Sequence, residues 1–168
     1  MDAPWMQVAL AEVGQRELAG ARNNNPRILE YLGTVGHFPT DETAWCSAFA
    51  NWVMLQSGLQ GSGRPNARSW LHWGFPLAHP EYGCITVFRR GHSSWQGHVA
   101  FYVRQEGHHL LVLGGNQGDA VSIARHSRSS LLGYRWPQPV GEVITRDQSG
   151  RITSRENIEG MVISGSPR

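Results

Sequence analysis

The chain has 168 residues, 40% of them hydrophobic and 17% charged, a composition that suits one globular domain with a sizeable core. Its formal charge of +2 comes from scattered arginines, which argues against a nucleic-acid arm or a membrane anchor and is compatible with an anionic polymer as partner. Two cysteines, Cys46 and Cys84, exclude a disulfide framework, although a single bridge stays open; the preferred reading is one reactive and one buried thiol.

The opening Met1-Asp2-Ala3-Pro4-Trp5 lacks a basic stretch followed by an apolar core, and no apolar run approaches the roughly 18 residues that cross a bilayer. The expectation is a product made in the cytoplasm without a signal peptide. Apolar residues at Trp5, Val8, Ala9 and Val13 share one helical face, and Gly14 offers a stop. Asn25-Pro26 caps a second helix carrying Ile28, Leu29 and Leu32 before Gly33. Thr40 or Asp41 can cap a third, which would bury Ala48, Phe49, Trp52 and Val53 and end near Gly58, with Cys46 in its first turn.

A loop and a short helical piece around Ala67 to Trp73 lead into strands at 85–88, 98–103, 110–113, 121–124 and 132–136. Helices first and neighbouring strands afterwards predict an α+β domain with N-terminal helices packed on an antiparallel sheet. The domain is expected over residues 1–140. Residues 141–168, poor in aromatics and rich in Gly, Ser, Arg and Glu, read as a tail or peripheral strand.

A thiol attacks as its thiolate, and the first turn of a helix favours negative charge there. Cys46 meets that condition, and it lies off the stripe of Phe49, Trp52 and Val53, which weakens a purely structural reading. Thiolate chemistry needs a base, and the base needs a group that fixes its tautomer. His98 opens a strand after Gly97, and alternation sets His98, Ala100 and Tyr102 on one face. The next strand runs into Gly114-Gly115-Asn116-Gln117, so antiparallel pairing would bring Asn116 near His98; read alone, Asn116 is more simply a turn residue.

The blocks Ala44-Trp45-Cys46-Ser47-Ala48-Phe49, Gly97-His98-Val99 and Leu113-Gly114-Gly115-Asn116-Gln117 resemble the CHAP and NlpC-type cell-wall hydrolases, a papain-like group of amidases and endopeptidases. The likeness runs from about Trp5 to Trp136 and takes in Asn24-Asn25-Pro26-Arg27-Ile28. It implies Cys46 as nucleophile, His98 as base and later acid, and Asn116 as the residue orienting His98. The oxyanion would lie at least partly on the Cys46 backbone N–H. Such proteins often have Gly-Asp-Ile where this chain has Gly83-Cys84-Ile85, so Cys84 is expected to be a small buried hydrophobe.

Trp45, Asp41, Trp95 and Gln117 are the substrate-side candidates, with helix capping as the simpler account of Asp41. Glu17, Asn24 and Asn25 would face the same groove or form a capped turn. Eight histidines invite a zinc reading, but the spacings do not suit one, and His108-His109 would point to opposite sheet faces. No metal or cofactor is expected, and neither nucleic acid nor membrane as partner.

The resemblance implies hydrolysis of an amide in peptidoglycan, by a phage lysin released through a holin or by a toxin injected between bacteria, the latter with an immunity protein or secretion-system component as partner. The rival readings are a wall-binding module without activity and a thiol acyltransferase on the same scaffold.

Overall fold

The computed structural model describes residues 2–18, 25–36, 44–138 and 142–157. Three helices come first: α1 (Trp5–Ala11), α2 (Pro26–Gly33) and α3 (Cys46–Gln56). Asn25 caps α2, accepting from the Arg27 amide at 2.8 Å, and Pro26 takes the first turn, where its missing N–H costs nothing. In α1 the buried residues are Trp5, Met6 and Ala9. Val13 was expected on that face, but the helix ends at Ala11 and Val13 is exposed.

Helix α3 begins at Cys46, with Trp45 in the cap position and no side-chain cap. The caps expected from Thr40 and Asp41 lie outside the described residues. All residues from Cys46 to Met54 are buried, as in a helix enclosed on every side. Position off an apolar stripe therefore says nothing about Cys46, because this helix has no solvent face along that stretch.

A 3₁₀ turn, Ala67–His72, precedes the sheet, whose strands are β1 (Phe75–Leu77), β2 (Ile85–Arg89), β3 (Gly97–Glu106), β4 (His109–Gly114), β5 (Ser122–Ser127) and β6 (Leu131–Trp136). Their order is β1-β6-β2-β3-β4-β5 and every pairing is antiparallel, so the α+β class with helices on an antiparallel sheet holds. The fifth strand lies further along than its apolar start at Val121 suggested, because its register is set by β4, where Leu113 faces Ile123 and His109 faces Ser127. Strand β1 was not anticipated; three residues with a central Pro76 suit only a sheet edge.

Aromatic contacts join the layers. Tyr31 of α2 packs on Phe49 and Trp52 of α3 at 5.1 Å between centroids, Phe49 meets Phe101 of β3 at 6.3 Å, and Trp5 meets Trp136 of β6 edge-on at 5.0 Å. The Trp5 indole N–H donates to Gly83 O at 2.8 Å. Cys84 is fully buried, as expected of a small apolar residue, and burial pushes its thiol up to about 11.

Met1–Trp136 forms one compact unit and Pro137–Arg168 another. In the second, β7 (Glu142–Arg146) and β8 (Ile152–Asn157) pair as an antiparallel hairpin, where the sequence suggested a tail or single strand.

One buried polar cluster ties the start of α3 to the loop after it. Ser47 Oγ donates to Arg64 O at 2.7 Å and accepts from the Trp70 indole N–H at 2.9 Å, while Asn51 Oδ1 accepts from the Gly63 amide at 2.7 Å. Deleting one member strands its buried partners. Ser47→Ala is expected to lower unfolding free energy by about 1–3 kcal/mol, measured by urea denaturation; a variant as stable as the parent would show that the Trp70 N–H finds another acceptor.

Candidate active site

Strand β3 delivers His98 and the turn after β4 delivers its partner. That partner is Gln117, whose Oε1 lies 2.8 Å from His98 Nε2. The contact with His98 expected of Asn116 is made one residue later. Strand alternation stops at Gly114, and Asn116 adopts a left-handed backbone with φ 58°, so its turn reading holds. The following side chain folds back beneath the strand, and a Cβ on Gly114 would stand 3.1 Å from Gln117 Oε1 and 2.8 Å from Ala100 Cβ.

The Gln117 amide has a defined orientation. Its Nε2 donates to Ser122 O at 2.7 Å and to Val112 O at 3.3 Å. Carbonyls only accept, so the opposite atom, Oε1, is an acceptor and His98 Nε2 carries the proton that it receives. In the neutral ring this leaves Nδ1 with its lone pair, the tautomer a general base requires. Gln117, counted from sequence among substrate contacts, is thus the residue hydrogen-bonded to His98.

Cys46 stands at the first position of α3, where backbone N–H groups lack intrahelical acceptors. Its sulfur is faced by the Val99 amide, one residue beyond His98, and by the amides of Ser47 and Cys46. Burial nevertheless prevails and pushes the thiol up, against these amides and the positive charge of Arg90. The sequence-based expectation of a lowered thiol pKa is corrected accordingly: the helix terminus acts in that direction but desolvation outweighs it. Burial also holds His98 down at about 4, with Arg90 adding to the effect and the bond to Gln117 opposing it. Near neutral pH the resting pair is therefore an uncharged thiol and an uncharged imidazole.

Trp45, expected along a groove, is a core residue. It is fully buried, packs on Tyr31 at 5.9 Å, and its indole N–H donates to Glu17 at 2.7 Å. Trp95 is 71% exposed and lines a pocket of about 160 Å³ that holds Cys46, Asn66 and Arg90. A larger pocket, of about 420 Å³, is lined by His98, His126, Asn116, Arg90 and Arg125. Arg90 borders both pockets and forms no ion pair among the described residues. Asp41 and Asn24 lie outside the described residues; Asn25 is the cap of α2. No group of three or more potential metal ligands occurs among the described residues.

His126 escaped the sequence reading. It sits on β5, a strand whose alternating polar residues look like a solvated edge, yet its ring lies 4.7 Å from that of His98. Burial, His98 and Arg90 hold it at about 4 as well.

Both imidazoles take up a proton less readily in the folded chain than the ordinary value of 6.5. Between about pH 6.5 and 4 the unfolded chain binds protons that the folded chain refuses, so stability is full above that window and falls as pH drops through it. Unfolding midpoints from pH 7.5 to 4.5 are expected to fall, and His98→Asn to flatten the fall; midpoints level across the window would mean that both rings charge without cost in the fold.

Residues 38–116 match the CHAP domain family. No curated protein matches the chain. Among solved structures, the wild-type endolysin LysIME-EF1 aligns with a TM-score of 0.51 at 14% identity, covering 88% of this chain and 70% of that one. A lipoprotein-like NLP/P60 family protein from Staphylococcus aureus subsp. aureus Mu50 aligns with a TM-score of 0.45 at 17% identity, covering 80% of this chain; the present chain spans 41% of that protein's length. The family match includes Cys46, His98 and Asn116 and stops one residue short of Gln117. Over residues 38–116 the chain is thus similar to the CHAP domain family, and its α+β fold is similar to that of the endolysin.

Proposed function

We propose that the protein is a peptidoglycan hydrolase that cleaves an amide bond of the wall peptide through Cys46, His98 and Gln117. The observation that carries the mechanism is the Gln117 amide, locked by two carbonyls so that His98 keeps its proton on Nε2 and offers Nδ1 as base. The CHAP match supports the substrate class.

As Cys46 Sγ attacks the carbonyl carbon, its proton passes to His98 Nδ1 and the carbonyl π pair moves to oxygen. The Cys46 N–H, at the start of α3, is suited to meet that oxyanion. Collapse of the intermediate breaks the C–N bond, and the leaving amine takes the proton from His98. Water then attacks the thioester, gives a proton to His98 and releases the acid, after which the proton returns to sulfur. Each charge appears only during reaction, because the resting pair is neutral.

Trp95 offers an exposed aromatic face beside Cys46, suited to a sugar or peptide plane. Arg90 places a cation between the two pockets, suited to a wall carboxylate. Action would be on the periplasmic wall, by a phage lysin or an injected toxin, and co-expression with an adjacent inhibitor gene would separate these settings, since only a toxin needs an immunity protein. Thiol acyl transfer is the rival outcome, told apart by product mass.

Mass spectrometry of fragments released from purified Gram-negative peptidoglycan is expected to show amide cleavage, lost by about 10²–10⁴-fold or more in Cys46→Ala and His98→Ala. Gln117→Ala is expected to lose about 10²-fold, and Asn116→Ala only a few-fold at most by comparison. The reverse ranking of Gln117 and Asn116 would return the orienting role to Asn116, and no release from any wall would leave a binding module.

The acid limb of kcat/KM should follow the base. With His98 at about 4, activity is expected to persist well below pH 6.5 and to fall only as pH approaches about 4, where the ring protonates and cannot accept from sulfur. An acid limb centred on 6.5 would show a solvated His98.

A further inference from the structure

Gln117 Oε1 has a second neighbour. His126 Nε2 lies 3.1 Å from it, and the same argument applies as for His98: an oxygen whose amide nitrogen is committed to two carbonyls receives protons, so both imidazoles carry theirs on Nε2. The His126 ring stacks on His98 with centroids 4.7 Å apart and planes at 18°, and its other contact is Phe88, at 4.9 Å and 23°.

We propose that His126 is a positioning residue for the base: stacked against His98 and sharing its acceptor, it fixes the plane of the His98 ring and keeps Gln117 turned toward it. This rests on the cysteine-hydrolase reading above. One hydrogen bond leaves an imidazole free to swing about it; a parallel ring on its face removes that freedom. Two donors on one oxygen also oppose any flip of the amide, which would set its NH₂ against both Nε2–H groups.

The charges around the pair make His126 a neutral partner. Arg89 ends β2 and Arg90 follows it, His98 comes from β3 and Arg125 from β5, the last paired with Glu106 at 3.0 Å; among the described residues no carboxylate lines this pocket. When His98 accepts the thiol proton it becomes a cation against the face of His126, an arrangement that tolerates an uncharged ring and disfavours a second imidazolium. The two rings then titrate as a pair.

The experiment compares wild type with His126→Ala, His126→Phe, which keeps a ring without donor or charge, and His126→Gln, which keeps a donor without the ring. Alkylation of Cys46 by a small haloacetamide and wall hydrolysis are followed from pH 4 to 8, with folding checked by near-UV circular dichroism. His126→Ala is expected to slow alkylation and kcat about 10–100-fold with KM nearly unchanged. His126→Phe should recover most of that loss, and its acid limb should become a single-proton titration where wild type shows two linked protons. His126→Gln should recover less.

A folded alanine variant with wild-type alkylation and an unchanged acid limb would overturn the proposal, as would a folded phenylalanine variant no better than alanine. Alkylation separates the two readings: wild-type Cys46 that reacts with the expected pH dependence while no wall is cut would sink the substrate assignment and leave the role of His126 decided by the variants.

Discussion

The arrangement at the centre of this fold depends on how closely the start of α3 approaches the end of β4. Gly115 sets one contact: a Cβ there would stand 2.7 Å from Phe49 Cβ and 2.7 Å from the Trp45 ring, distances that backbone and indole cannot both relieve. Gly114 sets the other, leaving room for the Gln117 amide to fold under the strand. Larger residues would push the helix that carries Cys46 away from the strand that carries His98, or evict the amide that bonds His98. Trp45 is core for the same reason, since it fills the angle between helix and turn.

The electrostatics follow from that closeness. A site enclosed enough to exclude water raises a thiol and lowers an imidazole, and both shifts favour neutral forms. The amides at the head of α3 and the Arg90 cation pull the thiol the other way without prevailing. On the mechanism proposed above, charge separation is thereby deferred to the moment of attack, when fixed dipoles stand ready for it.

Much of this was legible in the sequence. The Asn25-Pro26 cap, the antiparallel run of strands, and the Cys46 and His98 blocks all declare themselves through local rules of capping and alternation. Asn116 and Gln117 could not be ranked that way, because strand periodicity ends at the two glycines and a left-handed residue redirects the chain by an amount that spacing does not encode. Trp45 misled because an aromatic beside a candidate nucleophile reads alike whether it faces a groove or the core. His126 gave no local sign, since its contact depends on β5 bringing residue 126 to a residue 28 positions earlier. Asp41 belongs to the segment outside the described residues and keeps only its sequence-based reading.

The uncharged thiol of Cys46 has a consequence for durability. Thiolates attack peroxides, disulfides and hypohalous acids, and a sulfur held protonated and 5% exposed presents little of that form. Cys84, buried and pushed up as well, offers no resolving partner at the surface. A thiol held this way reacts slowly with oxidants, so on the function proposed above the chain can pass through oxidising surroundings with Cys46 largely intact.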